Sequence, residues 1–235
     1  MRTRSWCKKI VLAGMIGACA CSPVAHASSV ADIWSEVAGT VQSIGDSILD
    51  NWSNEEGIAN GASRGVEEET NLNPSPSFDV TLLSDGNVLF RWDGDGYDQL
   101  VIRDEKHQVI VRQSVKGKDH IMLDMGTIGV KPGSRYTWAL TDNPSVYQFS
   151  VLDAENEKKL QEALKSIENQ AEDENTGIIE AATYLQYISD QYPDTVDLYW
   201  LSAQYLRKMT MGTEKQEREK AVLLQRCSNH LDQEM

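Results

Sequence analysis

The stretch VLFRWDGDGYDQLVIRDEKHQVIV, residues 88–111, carries the clearest structural pattern in this chain. Apolar side chains alternate with polar ones, and turns rich in Asp and Gly separate the runs. The stretch VKPGSRYTWAL, residues 130–140, shows the same alternation after a Pro-Gly turn. A period of two is typical of strands that bury one face. About seven short strands are therefore predicted between residues 78 and 153, which favours an antiparallel β-sandwich.

Several residues in this region match positions of the fibronectin type III family. Trp92 falls where that family has a core tryptophan in its second strand. Val130-Lys131-Pro132-Gly133-Ser134-Arg135-Tyr136 is similar to the family's Leu-x-Pro-Gly-x-x-Tyr turn before the sixth strand, with Val in the Leu position. The resemblance implies an immunoglobulin-like sandwich of seven antiparallel strands, in which the Tyr136 hydroxyl bonds back to the backbone. It implies little about function, because such modules mostly bind, space or scaffold.

The N-terminal residues carry the pattern of an export signal. A basic start, MRTRSWCKK, precedes the apolar run IVLAGMIGACA and then CSPVAHA, with Ala25 and Ala27 before Ser28. Residues 1–27 are therefore predicted to be a signal peptide, and the apolar run is too short to span a membrane. In a competing interpretation, Ile16-Gly17-Ala18-Cys19 resembles a bacterial lipobox, and Cys19 would be lipidated. The sequence predicts a periplasmic or secreted protein, or alternatively an outer-membrane lipoprotein.

Residues 28–52 predict an acidic amphipathic helix. Its apolar residues recur at heptad spacing: Val30, Trp34, Val37, Val41, Ile44 and Ile48. Its charged residues are all acidic, so a membrane surface is not the expected contact. We expect the helix to dock on its own chain, or to form a homo-oligomer or partner contact through residues 30–48. Residues 53–77, rich in Gly, Ser, Asn and Glu, predict a flexible linker.

Residues 154–235 predict a helical tail. Apolar spacing indicates four helices, over 153–172, 178–188, 196–209 and 214–231. The stretch AATYLQYISDQYPDTVDLYWLSAQYL, residues 181–206, is similar to tetratricopeptide repeats of bacterial envelope proteins. The resemblance implies helical hairpins with a concave surface for a partner peptide, and a hairpin that only mimics the pattern is the alternative. Tyr199, Trp200 and Tyr205 are candidates for partner binding or for the core.

The stretch WDGDGYDQL, residues 92–100, is similar to the calcium loops of FG-GAP and dockerin-like repeats. The resemblance implies that Asp93, Asp95 and Asp98 supply carboxylates to a hard cation. However, Arg91 stands where the first Asp of that pattern belongs, and Gln99 replaces its last acid. An Asp-Gly turn between two strands is the alternative. Calcium is therefore the one cofactor that the sequence indicates, and otherwise no cofactor is expected.

The net charge excludes some classes of partner. The chain has 235 residues and a net charge of −14. Residues 1–27 contain four of its 22 basic residues and none of its 36 acidic ones, so the remainder has 18 basic residues and a net charge of −18. A field of that sign repels nucleic acid and anionic lipid. Protein is therefore the expected class of partner.

Most of the common sequence signatures of catalysis are missing from the chain. HExxH, P-loop, Rossmann and CxxC patterns do not occur, and the one GxSxG match, residues 61–65, lies in the predicted linker. Cys227, the one cysteine after residue 27, is expected to be a buried small hydrophobic residue, with an intermolecular disulfide as the alternative. We therefore expect a non-enzymatic envelope protein that acts in protein–protein interaction or as a scaffold. The alternatives are a calcium-dependent adhesion module and an envelope sensor or regulatory lipoprotein.

Overall fold

The computed structural model describes Ile48, Leu49, Trp52 and residues 74–77, 79–193 and 195–233. In these ranges seven strands form, and most of the helices follow them. The strands are β1 (Val80–Leu82), β2 (Asn87–Arg91), β3 (Gln99–Asp104), β4 (Val109–Ser114), β5 (His120–Asp124), β6 (Arg135–Leu140) and β7 (Tyr147–Val151). The helices are α1 (Met125–Ile128), α2 (Ala154–Gln170), α3 (Glu174–Gln191), α4 (Tyr199–Leu206) and α5 (Glu214–Gln233). The predicted α+β class, with seven strands ahead of a helical tail, is confirmed.

The strands lie in two sheets, and one pairing differs from the prediction. A five-stranded sheet has the order β1-β7-β6-β3-β4, and β2 pairs with β5 in a separate sheet. The prediction of an all-antiparallel arrangement is wrong for β1, which runs parallel to β7 with Val80 opposite Phe149. Parallel neighbours need a long connection, and here the whole of β2 to β6 separates the two strands along the chain.

Large aromatic side chains fill the core between the strands. Phe90 of β2 meets Trp138 of β6 edge to face, with ring centroids 5.5 Å apart, and lies 6.1 Å from the ring of Phe149. All three side chains are fully buried. The Trp138 indole Nε1 donates to the carbonyl of Pro76 at 2.7 Å, so the polar end of this buried ring has a partner.

The turn before β6 and the residue after β2 have well-defined backbone contacts. The Tyr136 hydroxyl accepts a hydrogen bond from the backbone N–H of Lys131 at 2.7 Å. Pro132 begins this turn, and Gly133 after it has a φ of 74°, in the left-handed region that favours glycine. Trp92 is buried, and its Nε1 donates to the Lys118 carbonyl at 3.1 Å. The Trp92 contact therefore joins the end of β2 to the segment before β5. The Tyr136 contact joins β6 to the turn that precedes it.

Residues 74–77 are packed against the sheets, which differs from the flexible linker predicted up to Ser77. Ser75 pairs with Arg91 through two backbone hydrogen bonds of 2.9 and 2.7 Å. The Ser75 hydroxyl also accepts a bond of 2.7 Å from Trp200 Nε1. Ser75 and Ser77 are buried despite their polar side chains. At Ser75, the polar groups that indicated a linker instead form hydrogen bonds to the distant residues Arg91 and Trp200.

The helices pack on one another and on the end of the predicted N-terminal helix. Leu49 and Trp52 are buried in a cluster whose other members include Ile178, Leu206 and Val222. Several predicted features lie outside the described residues. They are the signal residues 1–27 with the Cys19 site, the rest of the predicted N-terminal helix, residues 53–73 of the predicted linker, and Phe78. Docking on the chain's own helices is therefore observed for the end of the N-terminal helix.

The third predicted helix is shorter than expected. It was predicted over 196–209, and α4 spans Tyr199–Leu206. The residues before it are bound elsewhere, because Leu198 N donates to Ser189 Oγ at 2.8 Å and Asp197 N donates to Thr81 Oγ1 at 3.2 Å. The Asp197 carbonyl, which a helix from Val196 would use as an acceptor in its first turn, instead accepts a bond of 2.8 Å from Thr81 N.

The helical tail and the sheets share one core. Thr81 N of β1 donates to the Asp197 carbonyl at 2.8 Å. Tyr199, Trp200 and Cys227 lie in the same hydrophobic cluster as the side chains between the sheets. The helices therefore pack against the β1 side of the five-stranded sheet. Among the described residues, no helix has the length and apolar character needed to cross a bilayer.

Candidate functional site

The three acids of the loop between β2 and β3 lie on the surface and are not gathered into a group that would hold a metal ion. Asp93, Asp95 and Asp98 are exposed, and Gly94 has a φ of 85°, as an Asp-Gly turn requires. The Asp98 carbonyl accepts a hydrogen bond from Val115 N at 3.0 Å, which fixes the end of the loop. Across the part of the chain that the structure describes, no three His, Cys, Asp or Glu residues form a group that would hold a metal ion. The geometry therefore gives calcium binding no support.

The three aromatic residues considered for partner binding serve internal contacts. Tyr199 is 4% exposed and Trp200 is 3% exposed, and both pack against the core of the sheets. Tyr205 is half-buried between the helices, with the Lys208 ammonium 3.8 Å from its ring centroid. Tyr199 and Trp200 therefore expose almost no surface to a partner.

Helices α3, α4 and α5 meet at an interhelical polar cluster, formed by Gln186, Asp190, Tyr199 and Arg226. The Arg226 guanidinium bonds to Asp190 Oδ2 at 2.8 Å, to Tyr199 Oη at 3.0 Å and to Gln186 Oε1 at 3.2 Å. The Tyr199 hydroxyl donates to Asp190 Oδ1 at 2.7 Å. Arg226 also lies 4.0 Å from the ring centroid of Trp52. One guanidinium therefore connects three helices and the N-terminal segment.

The chemistry of this cluster favours a structural role. Burial, with Asp190 as the second cause, raises the pKa of Tyr199 above its ordinary value. Burial also raises the pKa of the adjacent Cys227 thiol to about 12. At neutral pH both groups are protonated, so neither is an activated nucleophile or a base. Nearby, His230 pairs with Asp197 at 3.1 Å and stacks on the Tyr199 ring, which adds a further link between α5 and α4.

The Cys227 thiol is expected to resist modification in the folded protein. It is fully buried, and its raised pKa leaves almost no thiolate at pH 8. Alkylation of Cys227 by iodoacetamide should therefore be at least about a hundredfold slower in the native protein than in 8 M urea, as followed by peptide mass spectrometry. Equal rates in the two conditions would contradict the buried placement and would restore the intermolecular disulfide predicted as the alternative.

The outward side of β4 is an open edge of the five-stranded sheet. The Gln99 carbonyl accepts a bond from Thr141 N at 2.9 Å, so the backbone of Gln99 faces β6. Ser114, opposite Gln99 in the register, therefore turns its N–H and C=O away from β3. Because this orientation repeats every second residue, the backbone N–H and C=O of Arg112 also point away from β3. In the described ranges no strand pairs with this side of β4, and we call the outward backbone of Arg112 and Ser114 the β4 edge.

Two of the other three sheet edges are partly covered. The outer side of β1 is bonded to Asp197, in the segment before α4. The outer side of β2 is bonded to Ser75 at the level of Arg91. β5 has an outer side that pairs with no strand among the described residues, but its last residue, Asp124, caps α1 through a bond to Thr127 N at 2.9 Å. The β4 edge and the outer side of β5, where the backbones of His120 and Met122 face away from β2, are therefore the least covered strand edges within the described ranges.

Three arginines lie on the solvent face of the sheet beside this edge. Tyr136 and Trp138 point into the core, so Arg135 and Thr137 point outward. Arg103 is opposite Thr137, and Arg112 is opposite Val101, two residues before Arg103. We call Arg103, Arg112 and Arg135 the arginine face. No motif in the sequence distinguishes these arginines, although each occupies a polar position of a strand.

Comparison with known proteins supplies no further identification: no protein-family model matches this chain, and no curated protein matches it.

Proposed function

We propose that this chain is a non-enzymatic protein–protein interaction module whose partner binds along the β4 edge. The observation that carries the proposal is the outward backbone of Arg112 and Ser114, which offers strand hydrogen bonds to a second chain. An extended segment that adds to such an edge gains main-chain bonds and places alternate side chains over the sheet.

A fibronectin type III-like sandwich is part of this proposal. The contact of Phe90 with Trp138 joins the two-stranded and the five-stranded sheets, and the Tyr136 hydroxyl bonds to the backbone before β6. These features support the two sheets as the layers of an immunoglobulin-like domain. The tetratricopeptide-like hairpin of residues 181–206 is also part of the proposal, with α3 and α4 as a brace for the sheet rather than as a peptide groove.

The proposed module works in a bacterial envelope. The export pattern of residues 1–27 supports this location, with a free protein after a cut before Ser28 or a tethered one through lipidated Cys19. In either form the β4 edge would meet other envelope proteins or exported segments.

Site-specific photo-crosslinking in the native host tests the edge. A benzophenone amino acid at Gln113 of β4 is expected to give discrete crosslinked products. The matched control carries the same group at Met122, which is 55% exposed on β5. The Ser114→Pro variant removes an outward N–H and should abolish the products, whereas Ser114→Ala keeps the N–H and should preserve them. Identical products from Met122, or products that persist in Ser114→Pro, would refute binding at the β4 edge.

A further inference from the structure

We infer that the segment bound at the β4 edge is an extended, acidic stretch of a partner protein, recognised by the arginine face. This inference rests on the proposed function and specifies its partner class. Three observations carry it: the arginines share one face, they are not neutralised by carboxylates, and the region around them has the opposite charge sign to the rest of the chain.

The arginines form a continuous positive surface that leads to the open edge. Arg103 lies two residues beyond Val101 on the same face of β3, and Val101 is opposite Arg112. Arg135 lies two residues before Thr137, which is opposite Arg103. Diagonal neighbours on a sheet are about 7–8 Å apart, a distance that arginine side chains span. The arginine face therefore extends from β6 across β3 to the open strand.

The guanidinium groups of Arg103 and Arg112 have neutral partners. Arg103 donates to the His107 carbonyl at 3.4 Å, and Arg112 donates to the Gln99 side-chain amide oxygen at 2.9 Å. At the β6 end of the arginine face, the Glu105 carboxylate accepts a bond of 3.0 Å from the backbone N–H of Arg135. Among the described residues, no salt bridge joins Arg103, Arg112 or Arg135 to an acid. The face can therefore form charge-assisted bonds to carboxylates without breaking an internal ion pair.

The local charge has the sign that an acidic partner requires. Residues 99–118, which cover β3, β4 and the turn after β4, contain five basic residues and two acidic ones, a net charge of +3. The whole chain has a net charge of −14. An acidic segment is therefore repelled by the remainder of the protein and attracted to this edge, which sets where it binds.

A second copy of this chain fits the edge less well. Antiparallel pairing of two β4 strands would bring the arginine of one copy close to that of the other, and like charges on facing strands destabilise the pair. Positive charge on strands is also a way in which proteins prevent edge-to-edge association. A partner strand that carries Glu or Asp on one face removes that penalty.

Fluorescence anisotropy with synthetic peptides tests the inference. The probe is a labelled peptide in which Glu alternates with Thr, and a Gln-Thr peptide is its neutral control. The acidic peptide should bind, with affinity that falls as NaCl is raised. Arg112→Gln, on the edge strand, should weaken binding about threefold, Arg103→Gln and Arg135→Gln about twofold each, and the triple variant about tenfold. The triple variant Lys158→Gln, Lys165→Gln and Lys215→Gln removes the same charge from the helices and should change affinity less than about twofold.

The backbone contribution is measured with the same peptide. Ser114→Pro should weaken binding about fivefold, as expected for one lost hydrogen bond, whereas Ser114→Ala should leave it unchanged. Equal affinity for the neutral and acidic peptides would overturn the acidic partner class and leave the proposed edge function standing. Acidic-peptide binding that is insensitive to Ser114→Pro would overturn both. No peptide binding, together with a dimer in sedimentation that Ser114→Pro dissociates, would identify a second copy as the occupant and overturn the inference.

Discussion

Trp138→Ala is expected to lower the free energy of unfolding by about 3–5 kcal/mol, a large share of the stability of a typical domain. The indole is fully buried and packs against Phe90 at 5.5 Å and against Tyr147 at 4.5 Å between ring centroids. Its removal leaves a cavity where the two sheets meet, and it leaves the Pro76 carbonyl without its donor. Urea unfolding followed by far-ultraviolet circular dichroism measures the change.

Two further variants separate packing from hydrogen bonding at this position. Trp138→Phe keeps most of the apolar contact and loses the N–H, so it should cost about 1–3 kcal/mol, as an unsatisfied buried acceptor does. Met122→Ala, at a side chain that is 55% exposed, should cost less than about 0.5 kcal/mol. If Trp138→Ala costs no more than Met122→Ala, the two sheets do not share the core described above.

Arg226→Met should lower the free energy of unfolding by about 2–3 kcal/mol. The guanidinium side chain is 11% exposed and binds Asp190, whose side chain is 34% exposed. Loss of the cation leaves a partly buried carboxylate without its counter-ion and leaves the buried Gln186 Oε1 without its donor. Breaking one side of a buried pair costs more than the pair contributes, because the remaining charge is uncompensated.

The same helix offers a matched control for this substitution. Arg218 of α5 pairs with Glu214 at 2.7 Å, but the two side chains are 51% and 82% exposed. Arg218→Met should therefore cost less than about 0.5 kcal/mol, the usual contribution of an exposed helix pair. Adding Asp190→Asn to Arg226→Met should restore part of the lost stability. Equal losses for Arg218→Met and Arg226→Met would show that the interhelical polar cluster does not stabilise the fold.

Together these variants distinguish the parts of the molecule that hold it together from the part that we propose binds a partner. Trp138 and Arg226 act within the core and between the helices, so their loss should lower stability. Arg112 and Ser114 lie at an exposed edge, so Arg112→Gln and Ser114→Ala should leave the urea midpoint nearly unchanged. A change in peptide binding in these edge variants would then report on the site rather than on folding.

The local pattern of the chain predicted the elements well. Alternating residues such as Val88 and Phe90, or Tyr136 and Trp138, predicted strands that the structure contains, because a half-buried strand imposes its period directly on neighbouring residues. The helices of the tail were predicted for the same reason from their apolar spacing. Helix ends were less accurate, since α3 begins at Glu174, after the Asp173 cap, rather than at Ile178.

The relations between the elements required the tertiary structure. The parallel pairing of β1 with β7, the burial of Tyr199 and Trp200, and the bonds of Ser75 all join residues that are far apart in the chain. The β4 edge and the arginine face depend on which strand ends the sheet. The sequence by itself determined which segments form strands and helices, because those preferences are local. Only the tertiary structure decided which strand edge and which charges stay exposed, because burial depends on packing between distant parts of the chain.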